Sequence, residues 1–388
     1  MSLPRLLFSA VLVCLLTASY TQISWAADAP TWVYFGTYTD NLSKGIYKSE
    51  LDPATGKLSE PVLVAEATSP SFLAIHPNKK YLYAVSEVSS FNGKKAGAVV
   101  SFEIDPKTGM LKELNKASSV GDGPCHLIVD KAGKNVIVAN YGGGSCACIP
   151  IESDGKLKEA TSFHQHAGPV ALPKRQGTPH AHSANVSPDG KFVFVADLGL
   201  DQIKVYKLDA DAGKLTPNDP AFASLAPGAG PRHFAWHPDG KRAYVINEID
   251  MTVTSFDFDV DKGVLTKKQT ISTLPKGEMQ TPDYKFSTAE VVVHPSGKFL
   301  YGSNRTHNTI AMFAIGEDGK LVHLGNQGEG VNIPRNFNID PSGKWLLVAN
   351  QEGNTVTVYE IDQKTGKLSG VKQTVKVGHP VCIKFYTP

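Results

Sequence analysis

Cysteine is scarce in this 388-residue chain: there are five, and none forms a CxxC or CxxCH pair. A redox dithiol, a haem attachment and a disulfide framework legible from spacing are all excluded. A surplus of either charge is also missing, with 39 Lys and Arg against 37 Asp and Glu. That balance gives no basic footprint for nucleic acid and none for an acidic membrane surface. The one long apolar run, Leu6 to Leu16, has only eleven residues, whereas a spanning helix needs about 20. The phosphate-binding P-loop, the nucleophile elbow and HExxH do not occur either.

The apolar run has a different reading. Arg5 precedes it, and Ser24-Trp25-Ala26 follows as a small-x-small cleavage site, so residues 1–26 read as a secretory signal peptide. Cys14 falls inside the run, but Val13 before it is too bulky for the usual lipobox. The mature chain is then residues 27–388, exported to the periplasm or secreted. Cys125, Cys146, Cys148 and Cys382 remain in it. Export permits disulfides, but buried free thiols are the simpler expectation.

What the chain does contain is a repeat. Gly-x-Leu recurs at Gly56, Gly109, Gly155, Gly213, Gly263, Gly319 and Gly366, at intervals of 53, 46, 58, 50, 56 and 47 residues. Such spacing is too long for helical solenoids and fits four-stranded propeller blades. A second signature sits between apolar strands inside the repeats, as in His237-Pro238-Asp239-Gly240-Lys241 and Ser187-Pro188-Asp189-Gly190-Lys191. Proline presets one turn position and glycine relieves the left-handed one, so these are tight hairpins. Each blade reads strand A, Pro-Gly turn, strand B, looser loop, strand C, Gly-x-Leu hairpin, strand D. One blade is split between the ends, with Val381–Phe385 as strand A and Trp32–Gly36 as strand B. Pairing them closes the ring and removes sheet edges. The expected fold is all-β, one seven-bladed propeller of antiparallel four-stranded blades with helix almost absent.

Antiparallel connectivity puts the tidy A–B and C–D turns on one face and the irregular B–C and D–A loops on the other. Function belongs on the irregular face, near the channel. Aligned on their turns, the strand A starts give the column Ser71, Cys125, His182, Arg232, Ala289, Arg335. The next column gives Phe72, His126, Ser183, His233, Glu290, Asn336, and strand B ends at Glu87, Tyr141, Leu198, Glu248, Arg305, Gln351. Polar strand ends such as Glu87, Asn140, Asn304 and Asn350 read first as ladder caps. Arg232, Glu248, Arg305 and His182 together fit an anionic substrate and acid/base chemistry. Gly142-Gly143-Gly144 either opens the backbone to a ligand or makes a tight turn. His164-x-His166 and His180-x-His182 have no obvious acidic partner and are read as no metal site.

Several of these segments resemble the seven-bladed lactonase family, which includes the bacterial propeller-type 6-phosphogluconolactonases and the fungal carboxymuconate-lactonizing enzymes. The likeness rests on Gly230-Pro231-Arg232-His233 with Asn247-Glu248, and on Pro179-His180-Ala181-His182. Glu290, Ser303-Asn304-Arg305, Pro334-Arg335-Asn336-Phe337 and Ala139-Asn140-Tyr141-Gly142-Gly143-Gly144-Ser145 extend it over essentially the whole mature chain. The resemblance implies a catalytic set of His182 (or His180), Glu248, Arg232 and Arg305, with no metal or other cofactor. His180, His233, Asn247, Glu290, Arg335 and Asn336 are the expected substrate contacts. The expected partner is a small anionic or sugar lactone, met by a monomer and hydrolysed by water attack at the ring carbonyl. Two other readings stay open: a lyase or isomerase closing a muconate-like diacid, and a non-catalytic exported propeller that binds proteins or glycans.

Overall fold

Seven four-stranded antiparallel sheets form, each with its strands in the expected A–B–C–D order. The computed structural model describes residues 31–281, 283 and 285–388; the leader read at residues 1–26 lies outside them. Blade 1 is the split one. Its strand A, Pro380–Tyr386, pairs with strand B, Thr31–Thr37, from Trp32↔Tyr386 to Gly36↔Cys382. The rest follow in order, each opening on its own strand A. These begin at Leu73–Ile75 (blade 2), Pro124–Val129 (blade 3), Ala181–Val186 (blade 4), Pro231–Trp236 (blade 5), Ser287–Val293 (blade 6) and Pro334–Ile339 (blade 7). The single helix among the described residues is the four-residue turn Pro173–Gln176. None of their helices is long and apolar enough to cross a membrane.

Both repeat signatures turn out to be joints between blades. Tyr34 donates its hydroxyl to the Gly109 carbonyl of the next blade at 2.9 Å, and Tyr301 does the same to Gly366 at 2.8 Å. Gly366 has φ +69°, and a Cβ there would stand 2.3 Å from the Phe299 ring. Only glycine tolerates both conditions. The turn histidines act alike: Nε2 of His76, His237 and His294 donates to the carbonyls of Gly133, Gly297 and Gly343, at 2.8–2.9 Å. Between the joints, strands B and C bury apolar side chains on both faces, as Trp345–Asn350 does along its whole length. Such strands read as continuous apolar runs because a sheet lies on either side. Cys125, Cys146, Cys148 and Cys382 are buried free thiols.

Candidate active site

Strand A opens with a β-bulge in blades 3, 4, 5 and 7. The register jumps from Pro124 to His126, Ala181 to Ser183, Pro231 to His233 and Pro334 to Asn336. The skipped residues are Cys125, His182, Arg232 and Arg335, the first of the two aligned columns. A bulge re-aims a side chain at the edge of a ladder. Here it gathers these four around one small void at the channel mouth, together with Tyr38, Ser71, Glu87 and His233. The void has about 10 Å³, roughly the room one water needs.

Glu248 follows strand B of blade 5 and is caged by cations. Arg232 donates Nε–H to it at 2.9 Å and Arg305 donates from Nη2 at 2.8 Å. Arg175 stands 3.8 Å away. Backbone carbonyls fix the first two arginines further: Ala289 accepts from Arg232 at 2.6 Å and Thr288 from Arg305 at 2.9 Å. Burial pushes the Glu248 carboxyl up, but Arg305, Arg232, Arg335 and Arg175 outweigh it and hold it below the usual range. Burial brings Arg305 down to about 10. Arg335 differs from its neighbours. Its guanidinium lies over the Tyr38 ring at 5.3 Å, with no carboxylate within 4 Å among the described residues.

Across the mouth, Glu87 is held by hydroxyls. Tyr38 donates to both of its oxygens, at 3.2 and 3.1 Å, and Ser71 Oγ donates to Oε2. His182 is 4% exposed, and its Nδ1 lies 3.7 Å from Cys125 Sγ. Burial first, then the charges of Arg232, His233 and Arg335, keep its imidazole neutral far below ordinary histidine. His180 lies further out, stacked on Tyr141 at 4.4 Å, with Nδ1 donating to the Tyr141 carbonyl.

Below the void, rings close the channel. Phe72 packs on His126 at 4.0 Å, and His126 and His182 each lie 5.3 Å from His233. His233 faces both sides, because it also lines a cavity of about 320 Å³ beneath, with Glu290, Asn336 and Lys384. Its Nδ1 meets Glu290 Oε1 at 2.9 Å, and Glu290 also accepts from Asn336 Nδ2. Asn336 Oδ1 accepts from Ile383 N at 2.8 Å, tying blade 7 to the closing strand. Glu290, raised to about 7 by burial, thus sits in the floor with His233 and Asn336. Asn247 donates to Thr252 and Thr254 within its own blade. The two histidines of the other motif go elsewhere: His164 pairs with the Leu215 carbonyl, and His166 does have an acidic partner, Asp197 at 2.6 Å, which the sequence did not reveal.

The profile described as "Lactonase, 7-bladed beta-propeller" matches residues 32–385. The chain belongs to that lactonase family. A 6-phosphogluconolactonase of Bacillus subtilis is 35% identical over 91% of this chain and 97% of its own. Another from Formosa agariphila is 33% identical, over 92% and 99%. Among solved structures, the periplasmic gluconolactonase of Pseudomonas aeruginosa superposes with a TM-score of 0.86 at 30% identity, covering 93% of this chain and all of that one.

Two members of the lactonase mouth escaped the repeat alignment. Tyr38 lies in the B–C loop of the split blade, which has no Pro-Gly turn to align on. Arg175 lies in the irregular segment before blade 4. Buried Gln176 secures that segment, donating to the Leu198 carbonyl at 2.9 Å and Asp201 at 2.8 Å while accepting from Leu172 N. A basic residue in an irregular loop on the functional face was the one available signal.

Proposed function

We propose that this lactonase-family chain hydrolyses a sugar-type lactone bearing an anionic group, by attack of water on the ring carbonyl. The observation that carries this reading is one carboxylate, Glu248, clamping two arginines while a third, Arg335, stays unclamped beside them. As water adds, the carbonyl oxygen gains negative charge. Arg232 and Arg305, fixed by Glu248 and by backbone carbonyls, meet that charge with dipoles already in place. Glu248 is poorly suited to be the base, since the guanidiniums that surround it lower its affinity for a proton. Its work is to orient Arg232 and Arg305. His182, neutral and facing the void, holds the attacking water. Arg335, with Arg175 at the rim, suits a phosphate or carboxylate on the substrate. His180 and Tyr141 offer a flat, partly exposed wall for the sugar ring.

The relatives' names make 6-phosphogluconolactone the first substrate to try. The leader read at residues 1–26 and the likeness to a periplasmic gluconolactonase support export, where unphosphorylated aldonolactones or carboxylated lactones come into question. A pH-drop assay on 6-phosphogluconolactone, gluconolactone and a carboxylated muconolactone tests the reading. Turnover above buffer hydrolysis on one of them sustains it and ranks the substrates. Rates equal to buffer on all three overturn it.

A further inference from the structure

We propose that Glu87 is the base of this site: it takes the proton from the attacking water and returns it to the departing ring oxygen. The proposal rests on the hydrolytic reading above and deepens it. Glu87 and Glu248 hold the same place in two blades, just after strand B, on opposite sides of the mouth. Their surroundings differ in kind. Glu248 has guanidinium partners at 2.8 and 2.9 Å. Glu87 has only the hydroxyls of Tyr38 and Ser71, with no ammonium or guanidinium nitrogen within 4 Å among the described residues. A carboxylate saturated by cations gains little from a proton, whereas one held by hydroxyls keeps lone pairs available. Two carboxylates whose environments diverge in this way mark a division of roles.

Position agrees with chemistry. Glu87 and His182 line the same water-sized void, which places both beside a water held there. His182 is a poor resting place for a proton, because Arg232 and Arg335 border the void beside it and both repel a second cation. Glu87 is the anion on that void. The step balances without any co-reactant. The water oxygen bonds to the carbonyl carbon as its proton passes to Glu87. The bond from that carbon to the ring oxygen then breaks, and the ring oxygen takes the proton back. The new carboxylic acid releases its own proton to solvent. Tyr38 and Ser71 are positioning residues, aiming the two Glu87 oxygens.

Glu87→Gln, Glu87→Asp and Glu87→Ala, measured beside wild type on the lactone panel, test this. Glu87→Gln should lower kcat about 10²–10⁴-fold, the usual range for losing a general base, with KM changed by less than about threefold. Glu87→Asp should keep part of the rate, and added formate should restore Glu87→Ala at least tenfold, because formate supplies the missing carboxylate. Thermal unfolding of each variant separates loss of fold from loss of chemistry. Glu87→Gln turning over within threefold of wild type overturns the proposal, as does a folded Glu87→Ala that formate cannot rescue. A wild type inert on all three lactones overturns the hydrolytic reading instead, and this proposal falls with it.

Discussion

Arg305 donates to Glu248 from Nη2 at 2.8 Å, while its own Nε–H, buried beside that contact, has no partner among the described residues. A buried donor without an acceptor costs about 1–3 kcal/mol. Arg305→Lys keeps the charge but removes the fork. It should lower kcat on the order of 10²–10³-fold, as removal of an oxyanion donor does, with KM little changed. Steady-state kinetics at one pH decides the point, and an undiminished rate would remove Arg305 from the mechanism.

Glu248→Gln leaves two buried guanidiniums without their anion. Breaking a buried pair this way costs about 3 kcal/mol, so the variant should unfold at lower temperature as well as lose rate. The pH dependence has a definite sign. The folded carboxyl lies below its unfolded value, about 4.3. Its stabilising contribution is therefore full above that value and lost as pH falls through the folded pKa. Unfolding midpoints of wild type and variant should converge in acid and separate toward neutrality.

Arg335 should govern which lactone is preferred. Arg335→Ala should raise KM for an anionic lactone about 10–100-fold, the worth of a charge-assisted contact of roughly 1.5–3 kcal/mol, and should leave gluconolactone nearly unaffected. Arg335→Lys should recover only part, because ammonium lacks the planar fork. Parallel kcat/KM values on both substrates measure the ratio. An equal loss on each would mean that Arg335 serves the carbonyl rather than the anionic group.

Glu290 behaves oppositely to Glu248. Its folded pKa is raised from 4.5 to about 7, so the stability linked to it is full below about 4.5 and is lost as pH climbs through 7. At about 1.4 kcal/mol per pKa unit, wild type should lose on the order of 2–3 kcal/mol across that window. Glu290→Gln cannot ionise and should show a flatter profile. Urea unfolding at pH 5 and pH 8 reports the difference, and parallel slopes would contradict it.

The fold was legible because each signature answers two demands at once. Gly366 had to be glycine for its turn and for the Phe299 ring, so it recurs where a merely exposed turn residue would drift. The ring closure was legible because Trp32–Gly36 and Val381–Phe385 each lacked a partner of their own. The mouth was only half legible. Column alignment found Arg232, His182 and Arg335 together because all three are bulge residues at one register. Alignment could not show that Glu248 is caged while Glu87 is held by hydroxyls, since that depends on distances across the channel. Nor could it separate the floor residues His233, Glu290 and Asn336 from the mouth, because adjacent residues on a bulged strand lie at different depths.

The inter-blade contacts from Tyr34, Tyr301, His76, His237 and His294 all reach glycine carbonyls in the hairpin turns. The framework is thus riveted along one rim, and the opposite, open rim carries the irregular loops, held by contacts of their own such as those of Gln176 and Gln280. Such a scaffold lends itself to evolution and to engineering. Loops on the open rim can lengthen, shorten or exchange residues while the rivets stay untouched, so new substrates can be reached without refounding the fold.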